Sequence, residues 1–199
     1  MKIRKSVNSI KIAFVALVLT VMMGVTTASA ATYYHDYGFS KGQKITLDYW
    51  KDSSLSSYGY SSYMDTAMSQ WNNITGNLNI NKVSSASTYW SIVSYVGDTI
   101  PGFDVYGVVD HFRYGILGFS QVNPDDQRDR SRIRMDHSNL KTLYNNDERQ
   151  YAFTHEFGHA AGLKHNNSTS ASVMNETVNA NRNTPQTVDK DWIKTKYGK

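Results

Sequence analysis

Eleven residues constrain this chain more than any others: His155-Glu156-Phe157-Gly158-His159-Ala160-Ala161-Gly162-Leu163-Lys164-His165. His155 and His159 stand at i and i+4, so a helix through them projects both imidazoles from one face, one turn apart. Two neutral imidazole nitrogens about 2 Å from a common point suit zinc. Glu156 falls at the edge of that face, where its carboxylate reaches a water at the metal without ligating it. A straight helix cannot bring in His165, because ten further residues carry the chain about 15 Å along the axis. Gly162 can take the left-handed conformation that turns the chain, and His165 then returns as a third ligand. Three histidines leave one position open, as in catalytic zinc sites. The bland alternative is helix histidines that cap or fill core space. A chance match to all five fixed positions arises on the order of once in 100,000 chains of this size.

Charge adds a second constraint once it is located. The 199 residues carry 21 Lys and Arg against 17 Asp and Glu, a formal +4. Residues 1–30 hold four of those bases (Lys2, Arg4, Lys5 and Lys11) and no acid, so the rest of the chain has 17 of each sign. The same thirty residues read as a secretory signal peptide. A basic start is followed by the apolar run Ile12–Val25 and by the small residues Ala28-Ser29-Ala30, with cleavage expected near Ala30-Ala31. The run is shorter than the ~20 apolar residues that span a bilayer. The expected product is secreted, formally neutral and monomeric, with no membrane association after cleavage and no nucleic-acid partner. The chain has no cysteine, which excludes disulfides, a thiolate zinc site and a cysteine nucleophile.

Hydrophobic periodicity supplies the organisation. Residues 31–43 form an N-terminal arm without clear period, and 44–199 form one domain. Strands are expected at Lys44–Trp50, Leu78–Val83, Tyr89–Val96, Gly115–Val122 and Ser131–Asp136. A helix is expected where Tyr60, Met64, Ala67, Met68 and Trp71 share a face, with Gly76 as its stop. A second runs from Asp147 to Ala161, and a short C-terminal helix from Val188 to Lys196. The class is α+β.

The 155–165 pattern resembles the metzincin zinc endopeptidases, and Ser172-Val173-Met174-Asn175 resembles that family's turn, which sets a methionine (here Met174) beneath the three histidines. The closest resemblance is to the matrixins. Ser172-Val173-Met174 and the closing Val188–Gly198 helix, with Asp189 at an acidic position, are similar to theirs, and the resemblance covers Lys44 to Gly198. It implies a zincin fold: a twisted, mostly parallel sheet with an antiparallel edge strand, two long helices and a short C-terminal one. It implies a catalytic domain holding one catalytic Zn2+ on His155, His159 and His165, with Glu156 as general base and acid and Gly162 and Met174 supporting the site. Protein or peptide substrates would lie along the edge strand, for which Gly115, Ile116, Leu117, Gly118 and Phe119 are the candidates.

The departures from the family are specific. Without cysteine the usual latency motif is impossible, and no sizeable prodomain fits between Ala31 and the first strand. Phe119 and Arg134 stand where a structural zinc would need histidines, although Asp136 matches a neighbouring acid. Asn175-Glu176-Thr177 replaces the residues that wall the primary specificity pocket, so specificity does not carry over. Glu176 also stands where serralysin- and astacin-like enzymes carry a tyrosine ligand. His35, His111 and His137 lack metal spacing and read as surface or ordinary hydrogen-bonding side chains. Asp98, Asp104, Asp125 and Asp126 lie in turns that could take Ca2+ or stay solvated. Arg128, Arg130, Arg132 and Arg134 alternate along one solvated face, offset by Asp125, Asp126 and Asp129. The leading expectation is a secreted zinc endopeptidase. The alternatives are a secreted metal-binding adhesion module with little turnover and a zinc hydrolase of non-peptide amides.

Overall fold

The computed structural model describes residues 31–39 and 44–198; the expected signal peptide and residues 40–43 of the arm lie outside them. The elements are β1 (Ile45–Lys51), α1 (Ser54–Ser57), α2 (Ser61–Trp71), β2 (Leu78–Lys82), β3 (Ser91–Gly97), β4 (Gly107–Gly115), β5 (Gly118–Val122), β6 (Arg130–Asp136), α3 (His137–Leu140), α4 (Asn146–Ala160) and α5 (Thr187–Tyr197). The strands make one sheet in the order β2-β1-β3-β6-β4-β5. The first four are mutually parallel, and β4 runs antiparallel to both β6 and β5. Parallel neighbours need a crossover, and α2 supplies it between β1 and β2. This is the expected mixed fold with a mostly parallel sheet.

Alternation explains β1, whose Ile45, Leu47 and Tyr49 point into the core. Met64, Ala67 and Trp71 form the buried stripe of α2. Helix α4 is buried almost throughout from Tyr151 to Ala160 because it is packed by α2 on one side and by β4 and β6 on the other. Tyr49 meets Phe157 edge-on at 5.7 Å, and the Trp71 indole donates to the Thr154 carbonyl at 2.8 Å, which locks the helices to the sheet. Among the described residues no helix is long and apolar enough to cross a membrane.

Three expectations need correction. Gly115–Val122 is not one strand. Gly115 ends β4, Ile116 and Leu117 form a fully exposed turn, and Gly118, at φ +97°, starts β5. The strand β4 was not expected because Val108 and Val109 are adjacent, so Gly107–Gly115 shows no clean period of two. Helix α2 stops at Asn72, not Gly76: Asn72 leaves the helix at ψ 147° and its side chain bridges to Ile80, where it accepts from the main-chain N–H at 2.8 Å. Arg128 is not part of the solvated arginine face. It lies before β6, is 2% exposed, donates to the Ala160 carbonyl at 3.4 Å and sits over the Phe39 ring. The other three arginines do share a face, where Asp110 accepts from both Arg132 and Arg134 and Arg130 stacks on Phe119.

Candidate metal centre

Helix α4 is well started. The Asn145 side chain accepts from the Glu148 N–H at 2.9 Å, and the Glu148 carboxylate accepts from the Tyr144 N–H at 2.7 Å, while Asp147 and Glu148 place negative charge in the first turn. The helix then carries His155, Glu156 and His159 on a rigid, buried frame. Its end is a sharp turn: Gly162 takes φ +103°, and the Leu163 N–H returns to the Gly158 carbonyl at 3.0 Å. A Cβ at Gly162 would meet Lys196 Cε at 2.5 Å, so the position needs glycine for space as well as for conformation.

The turn brings His165 back to the helix. Its ring centroid lies 5.2 Å from that of His155 and 4.6 Å from that of His159. One nitrogen from each of the three rings falls within 4.8 Å of the others, the only such cluster among the described residues. The outer nitrogens settle the tautomer. His155 Nδ1 donates to the Val173 carbonyl and His159 Nδ1 to the Leu163 carbonyl, both at 2.8 Å. His165 Nδ1 lies 2.9 Å from Glu176 Oε1. A carbonyl or carboxylate can only accept, so each Nδ1 carries the proton and each Nε2 of a neutral ring is a bare lone pair. Burial keeps His155 neutral, with its pKa lowered to about 4, and holds His159 well below its ordinary value, with His155 and His165 adding to the effect. His155 Nε2 and His159 Nε2 are 3.0 Å apart with no proton between them. Two lone pairs at that distance repel unless a cation lies between them. Ligand nitrogens of a tetrahedral zinc stand about 3.3 Å apart, so the donor set fits Zn2+.

Beneath the histidines Met174 is buried, and Gly158 permits its approach, since a Cβ there would stand 2.4 Å from the methionine sulfur. The turn is pinned from α5. Asp189 accepts from the Val173 N–H at 3.0 Å and from the Ser172 hydroxyl, while capping its own helix through the Gln186 N–H at 2.9 Å. Glu156 is 8% exposed and pressed between α4 and β4; burial raises its pKa to about 8, and a cation beside it acts in the opposite direction. Its carboxylate reaches two hollows. One, of about 390 Å³, is walled by Gly107–Val109, His35, His111 and Lys164; the other, of about 280 Å³, by Tyr106, Tyr151, Ala152, Glu176 and Val178. A larger apolar hollow of about 600 Å³ beside Trp192 shares no lining residue with these two.

A family model described as Matrixin (Peptidase_M10) matches residues 40–198. The chain belongs to the matrixin family. That makes it a member of a family of zinc-dependent metalloendopeptidases, and its sheet and helices are those of the matrixin fold. No curated protein matches it.

Several residues of this matrixin stand where the linear pattern did not put them. Gly115–Phe119 form the hairpin tip, and none of them lines either hollow at Glu156. Among the described residues, the unpaired sheet edge beside the site is instead Gly107–Asp110, because β5 covers β4 only from His111 to Gly115. His35 and His111 line the cleft. His111 is buried against the Ser131 hydroxyl at 3.1 Å, and His35 pairs with Asp125 at 2.9 Å, whereas His137 bonds Tyr60 away from the site. Asp98 accepts from Ser138 and Asp126 from Asn123. The sequence held no signal that Gly107 borders Glu156 or that Glu176 faces His165, since both contacts depend on how the chain folds back.

Proposed function

We propose that this chain is a secreted zinc endopeptidase in which Glu156 moves the proton. The carrying observation is the convergence of three imidazole nitrogens beside a buried carboxylate, at a strand edge unpaired among the described residues. A zinc held there supplies Lewis-acid polarisation of the scissile carbonyl and lowers the pKa of water towards ~7. Glu156 accepts the proton from the attacking water and delivers it to the amine nitrogen as the C–N bond breaks. Burial keeps His155 and His159 uncharged, and the acceptors at the Nδ1 atoms of the three rings leave each Nε2 free of those partners. An extended peptide would add to the sheet along Gly107–Asp110, gaining main-chain hydrogen bonds. The hollow floored by Tyr151 and Ala152 would take a substrate side chain next to the scissile bond. The absence of cysteine suits an exported enzyme that relies on packing and metal for stability.

The test compares wild type with Glu156→Ala on casein and on a mixed peptide library, with zinc quantified in both. The expected result is loss of turnover by at least ~10²-fold with zinc retained. Equal cleavage by the variant would refute the role of Glu156, and a wild type inert on every peptide would refute the peptidase reading.

A further inference from the structure

The three ligands are not held alike. His155 and His159 sit on a buried helix, and main-chain carbonyls fix their outer nitrogens. His165 follows the Gly162 turn outside any helix, and its side chain is 43% exposed. What faces its Nδ1 is the carboxylate of Glu176, at 2.9 Å. Glu176 is itself held in a small loop clasp. Its N–H donates to Asn167 Oδ1 at 3.0 Å, and the Asn167 amide donates back to its Oε2. Asn167 is two residues beyond His165, so one segment carries both the ligand and the brace of its orienting group. The main chain joins in where the Asn166 N–H donates to the Met174 carbonyl at 2.9 Å.

Resting on the metal-centre reading above, we propose that Glu176 is the positioning residue for the third zinc ligand. Its carboxylate fixes the Nδ1–H tautomer of His165 and sets the ring plane so that Nε2 points at the metal. A loop histidine needs this more than a helix histidine does, since its backbone lies outside the rigid helix and its ring is partly exposed. The pairing is a carboxylate–histidine–metal relay, and loss of such partners weakens metal binding by about 10–100-fold. The carboxylate also places a negative charge next to the three neutral ligands of a dication, which the two carbonyl partners do not.

The experiment measures zinc dissociation constants by chelator competition for purified wild type, Glu176→Ala, Glu176→Gln and Asn167→Ala, with thermal unfolding of each metal-free form. Because the Glu176 side chain is 57% exposed, the metal-free forms should unfold together. Glu176→Ala should bind zinc about 10–100-fold more weakly. Glu176→Gln, whose amide oxygen still accepts, should recover most of that loss, and Asn167→Ala should weaken binding in the same direction by less. In nitrogen NMR of the zinc-loaded protein, the His165 Nδ1–H signal should be protected in wild type and exchange-broadened in Glu176→Ala. A wild type that binds zinc while Glu176→Ala binds it within twofold as tightly overturns this inference alone. A wild type that binds no zinc overturns the metal-centre reading as well.

Discussion

Adding one methyl group at Gly107 acts directly on Glu156. The new Cβ would stand 2.6 Å from Glu156 Cγ, 2.9 Å from its Cδ and 2.8 Å from Met135 Sδ, where ordinary contact is 3.4–4 Å. Gly107 does not have a positive φ, so alanine is tolerated by the backbone and the effect is purely steric. Met135 can yield by rotating its thioether, but Glu156 is hemmed between α4 and β4 and must shift. Restoring normal contact requires a displacement of roughly 1 Å, and misplacement of that size costs about 10²-fold in rate. Overpacking should also destabilise the fold by about 1–3 kcal/mol. None of the three atoms nearest the methyl belongs to a histidine, so zinc stoichiometry should be unchanged. The assay is kcat and KM on a quenched fluorescent peptide, with zinc content and thermal unfolding measured on the same sample. The expected pattern is a large fall in kcat, a small change in KM and full zinc loading. A variant with kcat within about twofold of wild type would refute the reasoning, and so would one that lost activity only by losing zinc.

Two further outcomes follow from buried basic groups. Burial, helped by Arg128 and His35, lowers the His111 pKa to about 2, against 6.5 for an exposed histidine. The unfolded chain therefore binds a proton that the folded chain refuses, so this contribution to stability is intact above pH ~6.5 and shrinks by about 1.4 kcal/mol per unit below it. Relative to wild type, His111→Gln should gain about 2.3 kcal/mol between pH 6.5 and 4.5 in urea titrations; parallel pH profiles would contradict this. Lys196, buried on α5, donates to the carbonyls of His35 at 2.5 Å and Tyr37 at 2.6 Å. It thereby holds the arm that pairs through Tyr33 and His35 with Lys164 and Gly162. Lys196→Met should cost about 1.5–3 kcal/mol and open the arm to limited proteolysis between Thr32 and Phe39; an arm as resistant as in wild type would count against the clamp.

The elements that could be read before folding are those whose signal is local. Alternation in Ile45, Leu47 and Tyr49 and the helical stripe of Met64, Ala67 and Trp71 report one buried face each. The α4 helix was visible through its polar start and through the histidine spacing, not through amphipathicity, since it is buried on nearly all sides. The hairpin escapes periodicity for the converse reason. Strand β4 is covered on part of both faces and carries no alternation, while its partner begins at a glycine whose φ is a three-dimensional fact.

The same division runs through the site. By itself the sequence determined the candidate ligands, the candidate base and the turn, because His155, Glu156, His159, Gly162 and His165 are related by helix periodicity and one glycine over eleven residues. Only the tertiary structure decided which sheet edge faces them, that Gly107 crowds Glu156, that Val173 and Leu163 carbonyls set the tautomers, and that Glu176 rather than the backbone meets His165. Those contacts join residues brought together by packing and by sheet order, and neither quantity is written in the spacing of residues along the chain.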